Sequence, residues 1–95
     1  MKCGAFSFSG HAVRRMFERS IGEQEVKAVV VKGDVIASYP DDRPYPSELL
    51  LGFVGGRTLH VVASREPATG RCFVVTAYEP DPAVWNDDFK SRRRP

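Results

Sequence analysis

The sequence predicts an α+β domain in which two N-terminal helices pack on one face of a curved antiparallel four-stranded sheet. Three observations carry this expectation. Up to Lys32 the apolar residues recur at helical spacing. From Val35 onward, four short runs rich in β-branched and aromatic residues are separated by turn signals. The one linker-like stretch, from Pro40 to Pro46, holds three prolines and reads as a loop inside a single domain spanning 1–95.

The first helix is expected over Ser9–Ser20. Ser9 is placed to act as N-cap, and Ala12, Val13, Met16 and Phe17 gather on one side of the helical wheel. His11, Arg14, Arg15, Glu18 and Arg19 take the other side, with Arg15 and Arg19 nearest the apolar border, where they would lean over the rim. Ser20-Ile21-Gly22-Glu23 has capping-box spacing and opens a second helix over Glu23–Lys32. Val26, Val29 and Val30 form its apolar stripe, and Gly33 ends it.

Four strands are expected at Val35–Tyr39, Glu48–Val54, Thr58–Ser64 and Cys72–Glu79. Gly55-Gly56 makes a tight hairpin between the second and third, and Arg65–Gly70 a longer turn between the third and fourth. A short extra strand through Ala5–Phe8 is compatible with the pattern. Alternation assigns Leu59, Val61 and Ala63, together with Phe73, Val75 and Ala77, to the face against the helices. The opposite face then carries His60, Thr76 and Tyr78 and is expected to lie open. Trp85, close after Pro80-Asp81-Pro82, either anchors the C-terminal segment or stacks a base.

Composition narrows the function without naming one. Of fourteen Lys and Arg residues, four lie in the last six positions; without them the chain carries ten basic and twelve acidic residues. The net charge of +2 therefore reports a basic tail, Lys90–Pro95, expected to be flexible. The longest apolar runs, Ala28–Val31 and Leu49–Leu51, are far too short to span a membrane, so a cytoplasmic protein is expected. Cys3 and Cys72 stand far apart in elements that look unrelated, and reduced thiols are expected. Two cysteines and two histidines do not assemble a metal site, and no cofactor is called for.

Ser9-Gly10-His11-Ala12, Arg15-Met16, Arg19 and Ile21 resemble the opening of a small bacterial family catalogued as a domain of unknown function. Leu59-His60-Val61-Val62, Val75-Thr76-Ala77-Tyr78-Glu79-Pro80-Asp81 and Trp85 continue the resemblance. What it implies is the fold of RelE- and ParE-like toxins of the barnase/colicin/RelE superfamily, and an endoribonuclease of a toxin–antitoxin system that works without a metal. The partners so implied are RNA and a cognate antitoxin. The alternatives are a non-catalytic module that binds a protein or ribosomal target, and a regulatory partner without activity.

Cleavage through a 2′-hydroxyl needs a base, an acid and cations around the phosphate. Histidine titrates near neutrality, and arginine forks match phosphate oxygens. The sequence offers His60, Tyr78 and His11 as proton carriers, and Arg15, Arg19 and Thr76 as phosphate ligands. Each has a plainer use: His60 as a half-buried structural histidine bonded to Thr76 or a backbone carbonyl, Tyr78 as cross-strand packing, His11 as helix capping, and Arg15 and Arg19 as surface charges or partners of Glu18 or Glu23.

Overall fold

The computed structural model describes residues 1–94. Its elements run β1 (Ala5–Phe8), α1 (Gly10–Glu18), α2 (Glu23–Lys32), β2 (Asp34–Tyr39), β3 (Ser47–Val54), β4 (Arg57–Arg65) and β5 (Arg71–Tyr78). The sheet has five strands in the order β1-β5-β4-β3-β2. β1 pairs with β5 in parallel, and the other three pairings are antiparallel. This corrects the expected four-stranded antiparallel sheet preceded by two helices. The signal in Ala5–Phe8 is only four residues long, and its partner lies 66 positions downstream, with Ala5 opposite Arg71.

The same pairing overturns the expectation of reduced thiols. β1 lays the N-terminus along β5, Gly4 N–H donates to the Gly70 carbonyl at 2.9 Å, and Cys3 is joined to Cys72 by a disulfide with Cα atoms 5.6 Å apart. Elements that look unrelated in sequence are neighbours in the sheet.

Local signals place the helices. The Ser9 side chain accepts from the Ala12 N–H at 3.0 Å, as an N-cap should. α1 ends earlier than expected, because Ser20 takes a left-handed conformation with φ of 53°. It therefore does not cap α2. Gly22 does, and the Glu25 carboxylate accepts its N–H at 2.9 Å. Two glycines allow the close seating of α2: a Cβ on Gly52 would fall 2.7 Å from a Val29 methyl, and one on Gly33 would overlap the Val29 carbonyl oxygen.

The core between helices and sheet is built from Ala12, Met16, Val26, Val29, Val30, Leu50, Leu59, Val61 and their neighbours, all buried. β5 enters this core in a way strict alternation does not foresee. Val62 lies opposite Thr76, but Ala63 lies opposite Val74, so Val75 is the extra residue of a β-bulge. Cys72 and Val74 therefore face the helices before the bulge, and Ala77 after it. Phe73 instead turns to the other face, where it stacks with Tyr45, and Val75 is exposed. The assignment of Phe73 and Val75 to the core is corrected accordingly.

The other face is only partly open. Leu49, Leu51 and His60 lie there and are buried, as is Trp85 of the C-terminal segment. That segment is a docked strap. Val84 and Trp85 donate backbone N–H groups to the Asp81 carbonyl, Trp85 forms a β-bridge with Arg92, and Arg93 N–H donates to the Val84 carbonyl at 2.8 Å. The expected flexible tail is thus held through Arg93, while Pro95 lies outside the described residues. No helix is long and apolar enough to cross a membrane among the described residues.

Candidate functional site

His60 sits mid-strand on β4 with no solvent exposure. Its Nε2 lies 2.8 Å from the Phe89 carbonyl oxygen, which can only accept, so Nε2 carries the proton. In the neutral ring Nδ1 is then an acceptor, and the Tyr78 hydroxyl, 3.1 Å away, donates to it. Phe89 delivers its carbonyl from a left-handed turn at φ of 58°. Trp85 closes the ring from the strap, edge-on, with centroids 4.5 Å apart. Burial pushes the His60 imidazole below its ordinary 6.5, and only the Phe89 carbonyl pulls the other way.

Tyr78 stands across from His60 in the β4–β5 register and reaches the surface. Burial raises its phenol above 10.0, with Tyr39 adding to the rise and Arg92 and Arg19 opposing it. Both shifts hold the pair as neutral imidazole and neutral phenol near pH 7.

In front of Tyr78 lies a cleft of about 530 Å³ lined by Arg19, Tyr78, Glu79, Asp81, Trp85 and Arg92, among others. Arg19 leans over its rim as the helical wheel predicts and donates from Nη1 to the Ala77 carbonyl at 2.9 Å. Arg92 stands 5.5 Å from the centre of the Trp85 ring. Neither arginine is in an ion pair among the described residues. Glu79 is engaged by Arg57 at 2.6 Å, and the Asp81 carboxylate accepts the Ala83 N–H at 2.8 Å.

Of the residues singled out in the sequence, the fold brings together His60, Tyr78 and Arg19. The others stand apart from the cleft. Arg15 pairs with Glu18 at 3.2 Å on the helix surface. His11 is exposed at the start of α1, and Thr76 is half-buried opposite Val62. His60 is sealed behind Tyr78, Trp85 and Phe89, so a ligand in the cleft meets it only through the Tyr78 hydroxyl.

Sequence reasoning missed Arg92 and Arg57. Arg92 reads as one more charge in a basic run, and only the bridge to Trp85 aims it. Arg57 looks like a hairpin residue, yet its guanidinium joins Glu25, Glu79 and the carbonyls of Ser20 and Arg19, tying the α1–α2 turn to the end of β5. Its position beside Gly55-Gly56 is the single cue, since a hairpin tip can reach a neighbouring turn.

Residues 8–79 match the family described as Domain of unknown function (DUF4258). The chain belongs to this family. No curated protein and no solved structure matches it, and nothing in the family match ties it to RelE- and ParE-like toxins. The matched stretch stops one residue after Tyr78, so the strap that supplies Trp85, Phe89 and Arg92 lies beyond it.

Proposed function

We propose that the protein is a toxin-like, metal-independent endoribonuclease, with single-stranded RNA as substrate and a cognate antitoxin as partner. One observation carries the reading: a neutral Tyr78–His60 hydrogen-bonded pair ends at the floor of an open cleft with Arg19 and Arg92 on its walls. The RelE- and ParE-like fold that the family resemblance of the sequence motifs implies supports it. The reading keeps the cytoplasm as the place of action, and the Cys3–Cys72 disulfide is the observation that weighs against it, because such bonds are rare in a reducing thiol pool.

The pair works as a relay. The 2′-oxygen of the substrate attacks phosphorus, and its proton passes to the Tyr78 oxygen as the Tyr78 proton moves to His60 Nδ1. The bond from phosphorus to the 5′-oxygen breaks, the leaving oxygen takes a proton from water in the open cleft, and the hydroxide left behind takes back the His60 proton through Tyr78, which resets the pair. The products are a 2′,3′-cyclic phosphate and a 5′-hydroxyl. Arg19 and Arg92 face the charge that develops on the phosphorane. His60 is a positioning and proton-holding residue, and Tyr78 the group that touches substrate.

The test is purified protein with single-stranded RNA in EDTA, scored by mapping the ends. Tyr78→Phe is expected to lower cleavage at least about 10²-fold, the lower range for losing an acid–base group. His60→Gln is expected to do the same while the far-ultraviolet spectrum is unchanged. The pH–rate profile rises from the acid side with a midpoint below 6.5, because protonated His60 cannot accept from Tyr78. Full activity in Tyr78→Phe sinks the relay.

A second reading, a non-catalytic module that binds a protein target, is favoured by α1. Phe17 is 86% exposed and Val13 53% exposed, and with Phe8, Met16 and Ile21 they line an apolar groove. Growth arrest that survives Tyr78→Phe but not Phe17→Glu would decide for it.

A further inference from the structure

A second cleft, about 330 Å³, opens on the same face of the sheet as Tyr78 but at the opposite end of β5. One wall is the Tyr45–Phe73 pair, whose rings stack on each other at 17° with centroids 5.9 Å apart, and Val75 also lines the cleft. Buried Ser64 and exposed Arg43 also line it. Neither side chain is committed to a hydrogen bond or ion pair among the described residues. Glu66 stands beside the Tyr45 hydroxyl. A mostly apolar slot with an aromatic wall, one hydroxyl and one free guanidinium is at the small end of ligand pockets, which run about 300–1,000 Å³.

We infer that this slot takes one base of a single-stranded RNA, stacked against the Tyr45–Phe73 pair with Arg43 on the adjoining phosphate. It rests on the RNA reading above and adds a site distinct from the cleavage cleft. Aromatic side chains accept unpaired bases by stacking, and serine supplies a partner for a base edge. The geometry of β5 connects the two clefts. Phe73 and Tyr78 lie on one face of one strand, five residues apart, a span of about 15 Å at the usual rise. A few nucleotides of single strand bridge that distance, so one strand lying along β5 fills both. The bulge at Val75 is what lets both side chains share the face: without the extra residue, positions 73 and 78 would point to opposite sides.

The experiment uses the full chain carrying Tyr78→Phe, so that RNA is bound and not consumed. Short single-stranded RNAs carry 2-aminopurine at one position at a time, and its fluorescence reports stacking. Quenching confined to one position is expected. Adding Tyr45→Leu, which keeps the apolar packing, is expected to abolish that quenching and weaken binding about 5- to 150-fold, the range for one stacked base. Arg43→Gln is expected to weaken binding and reduce its salt dependence. Uniform or absent quenching, or Tyr45→Leu binding within twofold of its parent, overturns the slot. The two readings fail separately. Cleavage by the wild-type chain with no positional quenching removes the slot alone, whereas positional quenching with no cleavage removes the relay alone. Absence of any RNA binding removes both.

Discussion

The two faces of the sheet are made from the same strands and closed in different ways. Against the helices, every buried side chain is apolar, and the contact is a set of interlocking aliphatic groups around Leu50, Leu59 and Val29. Under the strap, a histidine, a tryptophan and a tyrosine are held by directed hydrogen bonds and edge-on ring contacts. Hydrophobic burial is non-directional and tolerates small shifts, so the first face confers stability. The second needs a particular carbonyl, that of Phe89, at a particular ring nitrogen. It is the face where a defined protonation state is built.

The largest effect expected is on the helix side. The disulfide closes a loop with a sequence separation of 69. Reduction is therefore expected to lower stability by roughly 4 kcal/mol on the loop-entropy model, read as a shift in urea midpoint with and without dithiothreitol. An unchanged midpoint would show that the N-terminus contributes little to that face.

Next come paired truncations. Leu50→Ala, at a fully buried position, is expected to cost about 3 kcal/mol and to reduce amide protection throughout the sheet. Trp85→Ala is expected to cost roughly 2 kcal/mol, less than a fully enclosed aromatic, with protection lost only near residues 84–93. If Trp85→Ala unfolds the whole chain, the strap is part of the core and the contrast between the faces fails.

A smaller effect separates the faces by pH. His60 titrates below 6.5 in the folded protein and near 6.5 when unfolded. Between those values the unfolded chain binds more protons, so this contribution is complete above pH 6.5 and is lost as pH falls through the folded value. The slope is at most about 1.4 kcal/mol per pH unit in that window. Trp85 fluorescence during urea unfolding at several pH values measures it, and His60→Gln is expected to flatten the dependence. The smallest change is expected at Arg15→Ala, a few tenths of a kcal/mol, because its pair with Glu18 is exposed and intrahelical.

Much of the secondary structure is legible in the sequence, and the reasons are local. The Ser9 cap, the Val26-Val29-Val30 stripe and the Gly55-Gly56 turn each act within a few residues, so the helix and strand positions follow from short-range sterics and periodicity. The helical wheel puts Arg15 and Arg19 alike at the rim of α1, but only Arg19 reaches a cleft, while Arg15 pairs with Glu18.

Tertiary structure alone decided the rest. The pairing of β1 with β5, and with it the disulfide, joins segments some 66 residues apart, and no local preference of Ala5–Phe8 specifies its partner. The bulge at Val75 reverses which face Phe73 occupies, a choice made by strand register and not by alternation. The strap covers the His60 end of the face expected to be open, because Trp85 packs edge-on against His60 across a distance in sequence that no local signal encodes. Sequence by itself determined the elements and the candidate residues. The exposure, protonation and company of those residues came from long-range contacts, since burial and hydrogen-bond partners are properties of the packed chain.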